Sequence, residues 1–264
     1  MPIKYFVNST SGSILTAEPN FNNYNRRTII PGSSSNPVNN VAELVAAGIT
    51  EDGVYYINLP TVGSTPVYCA LSPTFAGGGG WMLAMKATRG TTFNYSSNYW
   101  TTANTLNPTD LTRNDADAKY DVFNYYTASK FLAFFPDLNN GGQTSGAGTG
   151  WHWLVTNQSS TCLSRFQTGA QISSNPRGES MYVGSGFSNQ LGYQTWNFNY
   201  TGNANASVRW GFGWNNEGDQ FSNDVSGGIG MTATYGSYSA GDYIGCCQGT
   251  TGVNRSARAE IWVQ

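Results

Sequence analysis

Arg209–Met231 reads RWGFGWNNEGDQFSNDVSGGIGM, and its two halves have opposite character. The first six residues carry Trp210, Phe212 and Trp214 on alternate positions. That spacing puts every second side chain on one face of a strand, so a half-buried β-strand is expected. Asn215, Asn216, Glu217, Asp219, Asn223 and Asp224 follow, and the stretch closes on Ser226-Gly227-Gly228-Ile229-Gly230. This half reads as a polar loop with glycine at its sharp turns. Crowded carboxylate and amide oxygens suit a hard cation such as Ca2+, which takes roughly 6–8 oxygen ligands. They equally suit a solvated loop whose Asn and Asp side chains bond their own backbone. The spacing is not that of an EF-hand, so both readings stand.

The surrounding composition narrows the class. Of 264 residues only 11 % are charged, and the formal net charge is −2. The 13 basic residues are scattered and the longest basic run is Arg26-Arg27, so no nucleic-acid partner is expected. No window approaches about 18 consecutive apolar residues, so no membrane insertion by helices is expected. Met1–Asn8 lacks a long apolar core, and no secretory leader is read there. Aromatics make up 14 % of the chain, with 8 Trp and 16 Tyr beside 32 Gly. This is the profile of a loop-rich, β-leaning extracellular or virion protein, and Tyr and Trp on uncharged polar surfaces favour sugar and protein contacts. Cys69, Cys162, Cys246 and Cys247 form no CxxC pair. So sparse a set suits a chain made in a reducing cytoplasm, mostly as free thiols with room for one pair.

Along the chain, Met1–Asn40 is polar and ends in Pro31-Gly32-Ser33-Ser34-Ser35-Asn36-Pro37, which reads as an extended arm and linker. Val41–Gly48 is a short helix candidate stopped by glycine. Asp52-Gly53 is a turn ahead of a strand over Val54–Leu59, and Pro66–Leu71 is its hairpin partner. Four glycines, Gly77–Gly80, lead into an apolar strand at Trp81–Met85, and no GK[ST] follows to make a phosphate loop. Asp115 and Asp117 are a tight carboxylate pair. Further strands are read at Lys130–Phe135, Trp151–Val155, Gln194–Tyr200 and Arg258–Val263, with loops at Gly141–Gly150 and Ser173–Gly178.

Several of these pieces together resemble the fibrinogen C-terminal (fibrinogen-related) domain. Asp52-Gly53-Val54-Tyr55 is similar to that family's opening strand, and Val67-Tyr68-Cys69 followed by Gly78-Gly79-Gly80-Trp81 to its YC…GGGW signature. Within the family the intelectin branch looks closest: Trp214-Asn215-Asn216-Glu217 ending in Gly230-Met231 resembles its FNNE…GM segment, Asp115–Phe123 its acidic segment, and Ser256–Val263 its last strand. The resemblance covers Thr50–Gln264. It implies an α+β, β-rich fold with mixed or antiparallel sheet, few short helices and long loops, over residues 50–264, preceded by an arm over 1–49. The family's upstream partner for Cys69 is absent. The intelectin sugar site sets calcium near a late His and Glu. Here the single histidine, His152, is far in sequence from the late region, and Gln248–Asn254 supplies no carboxylate.

These readings converge on a binding protein. The metal candidates are Asn216, Glu217, Asp219, Asn223 and Asp224, with Asp115 and Asp117 joining that site or forming a second, and Ca2+ as the cofactor. The ligand-binding candidates are Trp214, Tyr235, Tyr238 and Tyr243, by stacking on sugar rings. The expected setting is a virion, made in a host cytoplasm and exposed outside the cell. The chain would be a bacteriophage tail-fibre or surface adhesin recognising a host glycan or surface protein. Its arm would form a homo-oligomer, a trimer by preference, or dock on other virion proteins. One alternative is a purely structural decoration or cement protein. Another is a glycan hydrolase, which needs two carboxylates about 5–10 Å apart. No GxSxG or HExxH occurs, and His152 between Trp151 and Trp153 reads as structural, so no enzyme is expected.

Overall fold

A computed structural model describes residues 30–76, 78–137, 151–174, 192–201, 206–219, 224–234, 236–246 and 253–264. Most of the arm (1–29) and the 141–150 loop lie outside this set, as do Asn223 and Tyr235.

Asp52-Gly53 opens β1 (Gly53–Leu59), which turns into β2 (Gly63–Ala70) as an antiparallel hairpin with Gly53 opposite Cys69. The glycine run delivers β3 (Trp81–Ala87), and β4 (Ala118–Lys119) pairs beside it. With β5 (Phe131–Phe135), β6 (Trp151–Val155) and β13 (Ala259–Val263), the first sheet has the order β1-β2-β3-β13-β5-β6. The last strand is therefore clamped mid-sheet, antiparallel to both β3 and β5. The second sheet runs β12 (Val253–Ser256), β11 (Gly236–Ile244), β10 (Val225–Ala233), β9 (Ala206–Asn215), β8 (Tyr193–Thr201) and β7 (Ile172–Ser173), again antiparallel. The short helices α1 (Val41–Ala46), α2 (Asp121–Tyr125) and α3 (Cys162–Gln167) complete a β-rich α+β fold.

The two sheets meet through aromatic side chains. Phe131 lies edge-on to Phe198 at 5.9 Å, and Trp153 sits 6.3 Å from Phe212 and 5.3 Å from Trp196. Such edge-to-face pairs add about 0.5–1.5 kcal/mol each beyond area burial. The apolar runs of β3 and β5 are buried on both faces. Phe131, Ala133 and Phe135 face the second sheet, while Leu132 and Phe134 join Trp81, Leu83, Tyr120 and Trp262 on the outer face. Lys86 pulls the 110–114 segment over that outer face: its buried ammonium donates to Asp110 (2.8 Å), to the Thr112 carbonyl (2.9 Å) and to Asn114.

Three expectations need revision. Residues 32–40 are packed structure, not spacer, and lead into the expected short helix, α1. The Tyr56 amide donates to the Gly32 carbonyl (2.8 Å) and Asn58 to Val38 (2.7 Å), so this segment covers the edge of β1. The Asn40 side chain caps α1 by accepting from the Glu43 amide, and Val38, Val41 and Leu44 enter the main core. Second, Ser226–Gly230 is not a loop but the interior of β10. Gly228 stands opposite both Gly211 and Gly241, and a Cβ on it would meet the Trp210 carbonyl oxygen at 2.2 Å with φ at +148°. Glycine here permits close backbone approach across three strands. Third, β9 is buried on both faces, not half-buried, because its alternate glycines are covered. A Cβ on Gly213 would lie 2.2 Å from the Tyr200 hydroxyl.

Candidate binding site

The polar half of the opening stretch becomes an exposed turn standing on buried strands. Asn215, the last residue of β9, is fully buried. Its Nδ2 donates to the Asp219 carbonyl (3.0 Å) and its Oδ1 accepts from the Glu217 amide (3.3 Å), so one amide side chain closes the turn from beneath. Asp224 lies below it at 5 % exposure. Its amide donates to the Trp214 carbonyl (2.9 Å), its Oδ2 accepts from the Asn216 amide (3.4 Å), and its carbonyl accepts from Gly245 (2.6 Å) after β11. Asn216, Glu217, Gly218 and Asp219 are left exposed on this base. Gly192 passes close behind: a Cβ there would be 2.3 Å from the carbonyl oxygens of both Asn216 and Glu217.

Ca2+ would need roughly six oxygens around one point. The described residues offer two exposed carboxylates on the turn, its backbone carbonyls, and Asp224 with one oxygen already engaged. Among these residues no group of three or more His, Cys, Asp or Glu side chains is placed to hold a metal.

Asp115 and Asp117 belong elsewhere. Asp115 pairs with Arg89 (2.6 Å), which also reaches Asp137. Asp117 accepts from the Thr88 amide (2.9 Å) and the Thr92 hydroxyl (2.6 Å), fixing the turn after β3. Gly90, within that turn, accepts from the Ser239 amide in mid-β11. Ser239 is five residues from Ile244, beside the polar turn, or about 17 Å along a strand. The structure does not bring the two acidic segments together.

Of the aromatic candidates, Trp214 is 6 % exposed, its ring 5.9 Å from Trp196 and 5.0 Å from Phe212. Tyr243 is 4 % exposed. Neither presents a ring face for a sugar to stack on, because both strand faces are covered. Tyr238 is half-buried against the cluster of Tyr200, Val208 and Met231.

Sequence reasoning missed the buried Asp242 of β11. It is held by Arg255 of β12 through Nε (3.0 Å) and Nη2 (2.5 Å) to Oδ2, in a directly paired register. Only a pairing of β11 with β12 could have signalled it, and β12 has no alternation of its own. Cys69 and Cys162 are free and buried, and burial pushes both thiols up, away from reactivity. Cys246, beside the polar turn, is disulfide-bonded. His152 is half-buried on β6, and burial lowers its pKa.

No protein-family model matches the chain, and no curated protein matches it. Among solved structures it is similar to the fibrinogen-like globe domain of human ANGPTL6. Identity is 18 % and the TM-score 0.32, over 46 % of this chain and 49 % of that one. The chain thus spans about half the length of that structure.

Proposed function

We propose that this chain is a fibrinogen-like, lectin-type binding module on a virion, a tail-fibre or surface adhesin that recognises a host glycan or surface protein and performs no catalysis. The observation carrying this reading is the exposed Asn216-Glu217-Gly218-Asp219 turn closed from beneath by buried Asn215. Binding groups held on loops above a rigid scaffold lose little freedom when a ligand arrives. The carboxylates of Glu217 and Asp219 would accept from ligand hydroxyls or backbone amides, and the side-chain amide of Asn216 would both accept and donate. The motif set Val67-Tyr68-Cys69, Gly78-Gly79-Gly80-Trp81 and Trp214-Asn215-Asn216-Glu217 supports the lectin-type assignment, and the aromatic, Asn- and Gly-rich composition supports the virion setting. In the same reading the arm over residues 1–49 carries the contact that builds a trimer or docks on another virion protein.

The test is binding of the purified chain to a glycan array and to host-cell surfaces, with Glu217→Ala/Asp219→Ala as the paired variant. Saturable binding lost in the variant at unchanged melting temperature supports the assignment. Retained binding in the variant moves the site elsewhere, and absence of any binding favours the decoration or cement alternative. Calcium is tested separately. A bound ion would make the melting temperature fall on chelation and recover on add-back.

A further inference from the structure

A cleft of about 420 Å³ opens on the outer face of the first sheet, away from the polar turn. Its volume lies in the range of small-ligand pockets, roughly 300–1,000 Å³. Four chain segments build it: Asp52 before β1, the 72–76 segment after β2, Arg113, and Phe134 with Pro136 at the end of β5.

Two opposite charges are fixed in its wall. The Asp52 Oδ1 accepts from the Leu71 (2.7 Å) and Ser72 (2.8 Å) amides, so its carboxylate is held by backbone. Its Oδ2 has no protein partner among the described residues. The Arg113 guanidinium is held just as firmly. Its Nε and Nη2 grip Glu260 at 3.2 and 2.7 Å, and its carbon lies 4.9, 5.2 and 5.0 Å from the ring centres of Phe75, Phe134 and Trp262. Its Nη1 has no protein partner among the described residues, and the side chain is 25 % exposed. Glu260 is shared with Arg258, so one carboxylate faces two guanidiniums and the cluster keeps a net positive charge. Tyr68 feels both sides: burial and then Asp52 raise its pKa, while Arg113 lowers it.

This arrangement selects by charge. A simple anion is repelled by Asp52, and a simple cation by the arginine cluster. A ligand carrying both charges meets a partner for each, through hydrogen bonds that charge strengthens on both sides. Phe75, Ala76, Phe134 and Pro136 supply the apolar part of the lining. We propose that this cleft binds a zwitterionic α-amino acid with an apolar or aromatic side chain. The ammonium meets Asp52 Oδ2, the carboxylate meets Arg113 Nη1, and the side chain lies on Phe75 and Phe134.

The experiment is isothermal titration calorimetry of the full chain with four probes: L-phenylalanine, phenethylamine, 3-phenylpropionate and a methyl glycoside. We expect saturable phenylalanine binding with a dissociation constant of about 1 mM, and at least about tenfold weaker binding of the other three. Asp52→Asn keeps the Oδ1 acceptor and hence the loop, and should weaken phenylalanine by about tenfold without changing the melting temperature. The Glu217→Ala/Asp219→Ala variant should bind phenylalanine unchanged, which separates this cleft from the polar turn. Three results would overturn the proposal: either singly charged analogue matching phenylalanine, the glycoside binding in its place, or no saturable heat with phenylalanine at about 50 mM, well past the expected constant. The comparison of probes on the native chain decides the matter even if the variant does not fold.

Discussion

Glu260→Gln isolates what the buried charge cluster contributes to the fold. Glu260 is fully buried in β13. One carboxylate takes Arg113 through Nε (3.2 Å) and Nη2 (2.7 Å), Arg258 through Nη2 (3.0 Å) and the Trp262 indole N–H (3.0 Å). Gln preserves the volume but removes the charge, and it turns an NH2 toward groups that can only donate. Two guanidiniums then lose the carboxylate they are bonded to, and the Arg258 Nε already lacks a partner there. Breaking a buried pair from one side costs about 3–5 kcal/mol. At about 2–4 °C per kcal/mol for a domain near this size, the melting temperature should fall by roughly 6–20 °C. Arg113→Met is the control. It leaves Glu260 paired with Arg258 and bonded to Trp262, and it fills the space among the three rings with a flexible apolar chain. Its cost should be smaller, about 1–3 kcal/mol. Urea unfolding at neutral pH reads both variants, provided the m-value is unchanged. A cost under about 1 kcal/mol for Glu260→Gln, or a larger cost for Arg113→Met, would refute the reasoning, since either would mean that the charges are solvated.

Gly228→Ala should be among the most damaging single-methyl additions, costing more than about 4 kcal/mol, because its Cβ would meet the Trp210 carbonyl oxygen at 2.2 Å. Gly218→Ala in the exposed turn, with nothing within 4 Å, should stay within about 0.5 kcal/mol by the same unfolding assay. Stability should also respond to alkali with a definite sign. Burial lowers the Lys119 pKa from 10.5 to about 8, so the unfolded chain holds a proton the folded chain has released, and stability rises as pH climbs above about 8. Cys69 and Cys162 act oppositely: their thiols ionise near 9.0 when exposed but not when buried, so stability falls above that pH. Urea midpoints should therefore rise between about pH 8 and 9 and then fall, and Lys119→Met should flatten the rise while keeping the fall. A monotonic decline from pH 7 in the native chain would count against the lysine assignment.

The sequence pattern revealed the strands whose information is local. The Asp52-Gly53 turn, the glycine run ahead of Trp81, the apolar run at Phe131–Phe135 and the terminal Ala259–Val263 all carry their own signals, and all are strands or strand starts in the fold. Where the reading failed, the deciding neighbour was far along the chain. Gly227, Gly228 and Gly230 look like turn residues because glycine permits turns. In the fold glycine also lets three backbones approach, and that need comes from Gly211 and Gly241. Trp210, Phe212 and Trp214 announced one buried face correctly, but their alternation could not say that Tyr200 covers the other. The same logic governs the sites. The polar turn was visible because six of its oxygen-bearing residues lie within ten positions. Arg113 and Glu260 are 147 residues apart, and the phenylalanines around Arg113 come from two further segments. A cleft assembled from four segments leaves no local pattern, yet its charges are the better defined of the two. Asp52 and Arg113 are each fixed by two hydrogen bonds or more, whereas Glu217 and Asp219 lie on an exposed turn. Pre-organised charge favours discrimination among small ligands, and an exposed turn favours adaptable contact with a large surface. The two proposed sites would therefore suit different partners.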